Sequence, residues 1–355
     1  MKCTIYPYAD ALYPLLENQQ DLIGGIRIRS VVYPRAWRRL MYHTHALETV
    51  ASGWDFETLT ADSDCVIFAD VSETEYMYPD ILEKAAYSLA AGRDVIFCTR
   101  LLEQDEAELR RRFPERTITV KYTAGRYPVT DLYRHEDISC AALGIGCLYR
   151  GLDDVVAVTG ITAACRRRNL RTVTVAGNAT LTLLGFYQFP SGIFRSGLDI
   201  EQQAGALNAF FAALEQRTHC DLFIVQFPDG MMKFMNETED AYGIKAFMLT
   251  RAVPFDYFVL GTFLEITHPD AYAHVRSIIG KRFGLPLDAC LFQHLKADRA
   301  FSAEYRRILY TRNRIETRYS DYEALRQNMK NLIIADYDDR NACEAIADDL
   351  IRKLS

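Results

Sequence analysis

The sequence predicts an α/β protein of two doubly wound domains with mostly parallel sheets, the first Rossmann-like and the second degenerate P-loop-like. Three observations carry that expectation. Short apolar runs alternate with helical stretches, which is the β-α-β pattern of parallel sheets. Several of the runs are apolar throughout, as in DCVIFAD (64–70), which suits strands covered on both faces. A segment rich in charge, with glycine and proline, TAGRYPVTDLYRHED (123–137), interrupts the series, after which it begins again. At 355 residues the chain has room for two domains, expected at 1–130 and 138–355.

The first series opens with CTIYPY (3–8) and RIRSVVY (27–33) as strands, followed by DCVIFAD. A helix over 80–92 lies between Pro79 and Gly92, the usual start and stop residues. DVIFCT (94–99) is the next strand, 101–113 a charged helix, and RTITVKY (116–122) a strand. In the second series ISCAALGIG (138–146) is a strand running into a glycine turn, 152–169 a helix and RTVTVAGN (171–178) a strand. A long connection over 179–197 leads to an amphipathic helix at 199–217. DLFIVQF (221–227) ends in Pro-Asp-Gly, and a helix over 243–253 precedes the strand FDYFVLGTF (255–263). A helix at 268–283, strands at 289–295, 308–312 and 331–339, and a closing helix at 342–354 complete the pattern.

Hydrophobic residues make up 49% and charged residues 25%, which excludes disorder as the dominant state. The net charge of −6 argues against nucleic acid, since phosphate binding needs a basic surface. The opening residues lack the basic and apolar regions of a secretory signal, and no apolar run is long enough to span a membrane. The expected location is therefore the cytoplasm. The nine cysteines include no CxxC pair, and most lie in apolar runs, so they read as small buried hydrophobes. Cys147, in a glycine-rich turn, is the exception.

That turn is the most informative local feature. Gly146 and Gly151 have the G-x-x-x-x-G spacing of a phosphate-binding loop, between a strand and a helix. The following Lys and Ser/Thr, which would contact phosphates and hold Mg²⁺, are here Leu152 and Asp153. Asp153 and Asp154 suit a helix start but repel a polyphosphate, which Arg150 only partly offsets. Three readings stay open: a packing turn, a phosphate-loop remnant without turnover, and a working nucleotide site. Asp229, after the strand 221–227, stands where such enzymes hold a metal, but Pro-Asp-Gly is also a strong turn sequence, and the turn is favoured.

Other constellations are weaker. His43 and His45, with Glu48 nearby, could pair on a metal if the segment is a strand, but an exposed loop is the expected reading. Arg110–Arg112 and Arg166–Arg168 read as solvated helix C-termini. The 21 tyrosines, among them Tyr6, Tyr8, Tyr13, Tyr33, Tyr42, Tyr76 and Tyr78, suggest an N-terminal peptide-binding face or homodimer surface. Signatures of common serine hydrolases, zinc proteases and deaminases are absent.

Five stretches together resemble the peptide maturation system proteins of bacteria. They are IYPY…YPLL (5–8, 13–16), DLIGGIRIRSVVYPRAW (21–37), ALGIGCLYRGLD (142–153), GFYQFPSGIF (185–194) and VQFPDGMMKF (225–234). Proteins of that family are encoded beside a short precursor peptide and a radical SAM maturase. The resemblance matches the family's glycine turn to Gly144, Gly146 and Gly151, its aromatic-proline motif to Phe186, Phe189 and Pro190, and its PxG motif to Pro228 and Gly230. It brings no catalytic residue, and Leu152 in place of lysine argues against an ATP-driven role.

The expected function is accordingly that of an accessory protein, more a binder than an enzyme. It would hold the precursor peptide or the radical SAM maturase, with no resident cofactor and without nucleotide hydrolysis. Phe186, Phe189, Pro190, Tyr6 and Tyr8 are its expected interaction residues. The alternative is an enzyme or sensor binding a nucleotide or phosphorylated metabolite at 144–151, with Gly144, Gly146, Arg150, Gly151, Asp229 and Gly230 as the ligand-binding set.

Overall fold

The computed structural model describes all residues except 35–49, 72–75, 124–134, 153, 196, 240–241, 264–268, 313–328 and 330–331. The His43/His45 pair, Tyr42, Asp153 and most of the segment 123–137 lie outside the described residues. The chain forms two compact units, one of Met1–Arg126 with Ala176–Phe189, the other of Tyr127–Val175 with Pro190–Ser355. The first unit thus includes a piece of chain from the second series. No helix among the described residues is long and apolar enough to cross a membrane.

In the first unit the elements run β1 (Lys2–Tyr6), α1 (Tyr13–Glu17), β2 (Arg27–Val32), β3 (Ala51–Gly53), α2 (Phe56–Thr60), β4 (Cys65–Phe68), α3 (Tyr78–Ala90), β5 (Asp94–Phe97), α4 (Glu103–Arg112) and β6 (Ile118–Val120). The strands pair in the order β3-β2-β1-β4-β5-β6, and every pair is parallel. That is the 3-2-1-4-5-6 order of a Rossmann-like fold. Strand β3 and helix α2 are too short to show a period in the sequence. The core gathers Val66, Phe68, Val95 and Phe97 from the central strands against Ile81, Ala85 and Leu89 of α3. Arg110 and Arg111 pair with Glu106 and Glu108 of their own helix, so the first arginine triplet is a solvated, self-paired helix end.

The second series runs β7 (Ala141–Cys147), α5 (Val155–Arg167), β8 (Thr172–Ala176), β9 (Tyr187–Gln188), α6 (Ile200–Thr218), β10 (Leu222–Gly230), α7 (Ile244–Ala252) and β11 (Tyr257–Phe263). It continues with α8 (Pro269–Ile278), β12 (Ala289–Gln293), β13 (Leu295–Ala297), α9 (Arg299–Tyr305), β14 (Tyr310–Arg312), β15 (Ile333–Asp336) and α10 (Arg340–Leu354). The main sheet has the order β15-β12-β11-β7-β10-β8-β9, with parallel pairing from β15 through β8. Strands β13 and β14 form a separate antiparallel pair.

Helices α5 and α10 cover one face: Thr162 of α5 bonds Thr174 at 2.9 Å, and Tyr257 Oη donates to Asp349 of α10 at 2.9 Å. The second arginine triplet is not simply solvated, because Arg167 and Arg168 form ion pairs with Glu344 of α10, and Arg168 also reaches Asp348 at 2.6 Å. Helix α6 starts with a reciprocal capping box between Asp199 and Gln202, which satisfies amides the helix leaves unpaired. Helices α6 and α7 pack together, and Asn208 Nδ2 donates to the Ala252 carbonyl at 2.9 Å. All nine cysteines are free thiols, and every one except Cys220 is buried.

Candidate functional site

The second sheet reverses its direction of growth at β7. After β7 the chain passes through α5 to β8, and after β10 it passes through α7 to β11 on the other side of β7. The connections leaving β7 and β10 therefore lead to opposite sides of β7, and in open α/β sheets ligands bind outside such a switch point, at the carboxyl ends of the strands. The sequence-predicted ligand set converges here, but its members do different work.

Gly144 and Gly146 are not in a loop. They lie within β7 and make room for aromatic rings: a Cβ on Gly144 would stand 2.6 Å from Phe227, and one on Gly146 3.0 Å from Phe258. Gly151 does require its glycine conformation, with φ at +84°, and the Tyr310 ring lies 3.3 Å from where a Cβ would be. Gly230 seats its Cα against the opposite loop, where a Cβ would fall 2.3 Å from the Arg150 amide nitrogen. The two loops are also bonded together. Met231 N donates to the Cys147 carbonyl at 3.0 Å and Met232 N to that of Leu148 at 2.8 Å.

The turn after β7 is filled from above. Leu152, in the position of the phosphate-loop lysine, is buried with Cys147, Phe263 and Ala297, and Tyr149, Phe234 and Tyr310 pack against them. The β13–α9–β14 excursion supplies Ala297 and Tyr310, and Tyr310 Oη donates to the Arg150 carbonyl at 2.9 Å. The first turn of α5 is also engaged, since Val156 N donates to Tyr337 Oη at 3.0 Å and Asp154 accepts from Gln226. The space a phosphate would take over this turn is thus filled by the chain's own side chains, and the Val156 amide at the helix start is already bonded. Replacing Leu152 by lysine would place an ammonium in an apolar cluster, at a cost of about 2 kcal/mol. The expected result in thermal unfolding is a lower melting temperature that ATP with Mg²⁺ does not restore.

Asp229 has φ at +60°. It lies within β10 where the register to β7 shifts between Gln226 and Gly230, so the Pro-Asp-Gly reading as a plain turn gives way to an irregularity inside the strand. Its carboxylate stands 2.5 Å from Lys245 and 3.8 Å from Arg150, and Lys245 in turn lies over the Phe194 ring at 5.4 Å. Asp229 is thus engaged by two cations.

Along the same edge the structure assembles polar groups that the sequence reading missed. Thr262 is the last residue but one of β11, His294 follows β12 and Asp336 ends β15, on three adjacent strands. The register pairs Thr262 with Phe292 and Phe292 with Asp336, so Thr262, Asp336 and His294 share one face of the sheet. His294 Nε2 lies 3.1 Å from Asp336, whose carboxyl is raised above the usual range by burial. His294 Nδ1 and Thr262 Oγ1 are buried without hydrogen-bond partners. With Nε2 donating to Asp336, Nδ1 presents a lone pair, which can accept a hydroxyl or amine proton. The available signal was a polar residue closing each apolar strand, in LGTF, LFQH and IIAD.

The expected interaction residues need correction. Tyr6, Tyr8, Phe186 and Phe189 are 3%, 2%, 6% and 2% exposed, and Pro190 is buried, so none offers a surface. Tyr6 is held inside because its ring packs on Phe56 and Phe68 while its hydroxyl reaches Asp80. Tyr8 stacks edge-on against buried Tyr33 at 5.4 Å. Of the tyrosines singled out, Tyr76 is the fully exposed one among the described residues. In the second unit four large rings are exposed, Tyr242, Phe247, Phe301 and Tyr305, and the first unit exposes Trp54 and Tyr87 besides Tyr76. The Glu239 amide bonds the Arg306 carbonyl at 2.9 Å, which brings the chain before α7 alongside the end of α9. Cations accompany two of these rings, with Lys233 4.6 Å from the Tyr242 centroid and Arg251 5.2 Å from that of Phe247.

In the first unit the corresponding switch point lies at β1 and β4, the usual dinucleotide position. No glycine loop follows β1, which leads into Pro7 and Tyr8. Just past β4, Asp70 binds the unit's own later segment. Its carboxylate accepts from Ala179 N at 3.1 Å, its carbonyl from Asn178 Nδ2 at 3.0 Å, and its amide donates to Thr180 Oγ1 at 2.7 Å.

No family model matches the sequence. No curated protein matches it. Among solved structures the chain is similar to a DUF1611 family protein from Anabaena variabilis ATCC 29413, at 12% identity, covering 99% of each chain with a TM-score of 0.62. That likeness shows the two-sheet α/β fold. The chain also aligns with chloroplast FtsY from Physcomitrella patens at 12% identity, over 78% of this chain and 89% of that one, with a TM-score of 0.28. A third alignment is to D-lactate dehydrogenase with NAD+ from Lactobacillus jensenii at 11% identity, over 99% and 95%, with a TM-score of 0.23. At those scores neither bears on fold or function.

Proposed function

We propose that the chain is an accessory protein of ribosomally made peptide maturation. It binds the precursor peptide, or the radical SAM maturase that acts on it, and does not hydrolyse nucleotide. The observation that carries this reading is the set of exposed aromatic rings in the second unit, Tyr242, Phe247, Phe301 and Tyr305, of which Tyr242 and Phe247 carry cations over their faces. Phe301 and Tyr305, 53% and 57% exposed, lie one helical turn apart on α9 with ring centroids 6.4 Å apart. Aromatic rings bring large contact area at little conformational cost, and the neighbouring cations suit a peptide bearing carboxylates. The filled glycine turn supports the same reading, because the chain spends its phosphate-loop equivalent on internal packing.

Calorimetry of the full chain with a short precursor peptide, if one is encoded beside its gene, tests the proposal. Phe301→Ala and Tyr305→Ala are each expected to weaken binding about tenfold, the effect of losing one aromatic anchor of about 1.4 kcal/mol. Their melting temperatures should stay unchanged, since both rings are exposed. Equal affinity in wild type and both variants would exclude this surface, and absence of binding to either peptide or maturase would overturn the proposal.

The second reading is an enzyme or sensor for a nucleotide or phosphorylated metabolite. It is favoured by the unpartnered His294 Nδ1 and Thr262 Oγ1, which could receive ligand hydroxyls at the carboxyl edge. Binding of a nucleotide that is lost in His294→Asn and unaffected by Phe301→Ala would select it.

A further inference from the structure

The opposite, amino-terminal edge of the second sheet carries a pair of cysteines that the proposed function does not use. Cys140 immediately precedes β7 and Cys220 precedes Asp221 and β10, and these strands are parallel neighbours with Ala141 opposite Leu222. The two sulfurs are 3.2 Å apart, both as free thiols. The backbone around them is held in place. Glu215 accepts from Cys140 N at 2.6 Å and from Ser139 Oγ at 2.7 Å, while Arg171 pairs with Asp221 at 2.5 Å. Cys140 is buried and Cys220 half-buried, so an incoming reagent meets Cys220 first.

We propose that Cys140 and Cys220 form a reactive dithiol that is oxidised by a low-molecular-weight disulfide to an intrachain disulfide. The Cys220 thiolate attacks one sulfur of the reagent, its S–S bond breaks, and the first thiolate leaves and takes up the proton that Cys220 lost. A mixed disulfide on Cys220 results. The Cys140 thiol then gives up its proton, its sulfur attacks Cys220, and the second thiolate departs with that proton. Two protein thiols are oxidised and one disulfide is reduced to two thiols, so electrons and protons balance.

The surroundings assign the roles. The hydrogen bond from the Cys140 thiol holds the Cys220 thiol below the usual range, while the same S–H···S hydrogen bond and burial push Cys140 up. Glu215 opposes the Cys220 thiolate, and Arg171 and Asp221 are the charged pair beside it. The accessible sulfur is thus the nucleophile, and the buried one keeps its proton until the mixed disulfide forms. Cys3 and Cys65, opposite one another on β1 and β4, are both fully buried and serve as an internal comparison.

The test is incubation of the full chain with glutathione disulfide at neutral pH, then digestion without reductant and mass spectrometry. A linked Cys140–Cys220 peptide is expected, with Cys3 and Cys65 still reduced. Cys140→Ser should instead accumulate a glutathione adduct on Cys220, and Cys220→Ser should lower total modification at this edge at least tenfold. No linked peptide in the wild type, or no adduct on Cys220 in a folded Cys140→Ser variant, would overturn the proposal. Linkage of Cys3 to Cys65 at the same rate would also overturn it, because reaction would then reflect unfolding rather than this site.

Discussion

Replacing Gly230 by alanine is expected to destabilise the second unit by about 3 kcal/mol, the upper end of the usual cost of overpacking. The new Cβ would stand 2.3 Å from the Arg150 amide nitrogen and 2.6 Å from the Tyr149 carbonyl carbon. Both are backbone atoms, so no rotamer change relieves the clash and the two loops must separate. Their separation would break the bonds from Met231 N and Met232 N to Cys147 and Leu148. It would also loosen the apolar cluster around Leu152, so the effect extends beyond one contact. Gly197→Ala is the comparison: φ there is +73° with nothing within 4 Å of a Cβ, so only backbone strain of about 1 kcal/mol applies. Thermal and urea unfolding of the two variants separate the causes. A Gly230→Ala protein as stable as Gly197→Ala would show that the loops are not locked together at this position.

The strands were legible because continuous apolar runs such as DCVIFAD, DVIFCT and FDYFVLGTF have few other ways to be satisfied than burial in a parallel sheet. Helix limits followed from the same chemistry, as at 268–283, where α8 runs from Pro269 and continues in a wider turn to Phe283. The site was harder to read. Gly144 and Gly151 look alike in sequence, yet one makes room for Phe227 and Phe258 and the other adopts a left-handed turn. Which role applies depends on side chains brought in from β10, β11 and β14. Thr262, His294 and Asp336 become neighbours only through the order β15-β12-β11, which no local pattern encodes. Tyr6 and Tyr8 have the composition of an interface, but the partners that bury them, Phe56, Phe68 and Tyr33, come from distant segments.

The first unit should become more stable as pH falls from 6 to 4, and Asp70→Asn should abolish that trend. Burial raises the Asp70 carboxyl from its ordinary 3.8 to about 6, only partly opposed by the bond from Ala179 N. The native state therefore binds this proton more readily than the unfolded chain. Above pH 6 the carboxylate is charged in both states, and the folded state bears the full desolvation cost. Below about pH 4 it is neutral in both states and the cost disappears. At 1.36 kcal/mol per pH unit the difference amounts to about 3 kcal/mol. Asparagine keeps an oxygen to accept from Ala179 N and carries no charge to bury. The variant should thus exceed wild type in urea midpoint at pH 7.5 and match it near pH 4. An equal gap at both pH values would mean that charge burial at Asp70 is not its source. The same residue fastens residues 178–180 over the end of β4 through three hydrogen bonds, at the position where a Rossmann-like sheet would receive a dinucleotide. A carboxylate buried at such a cost, and engaged by the unit's own chain, fits a crevice given over to structure.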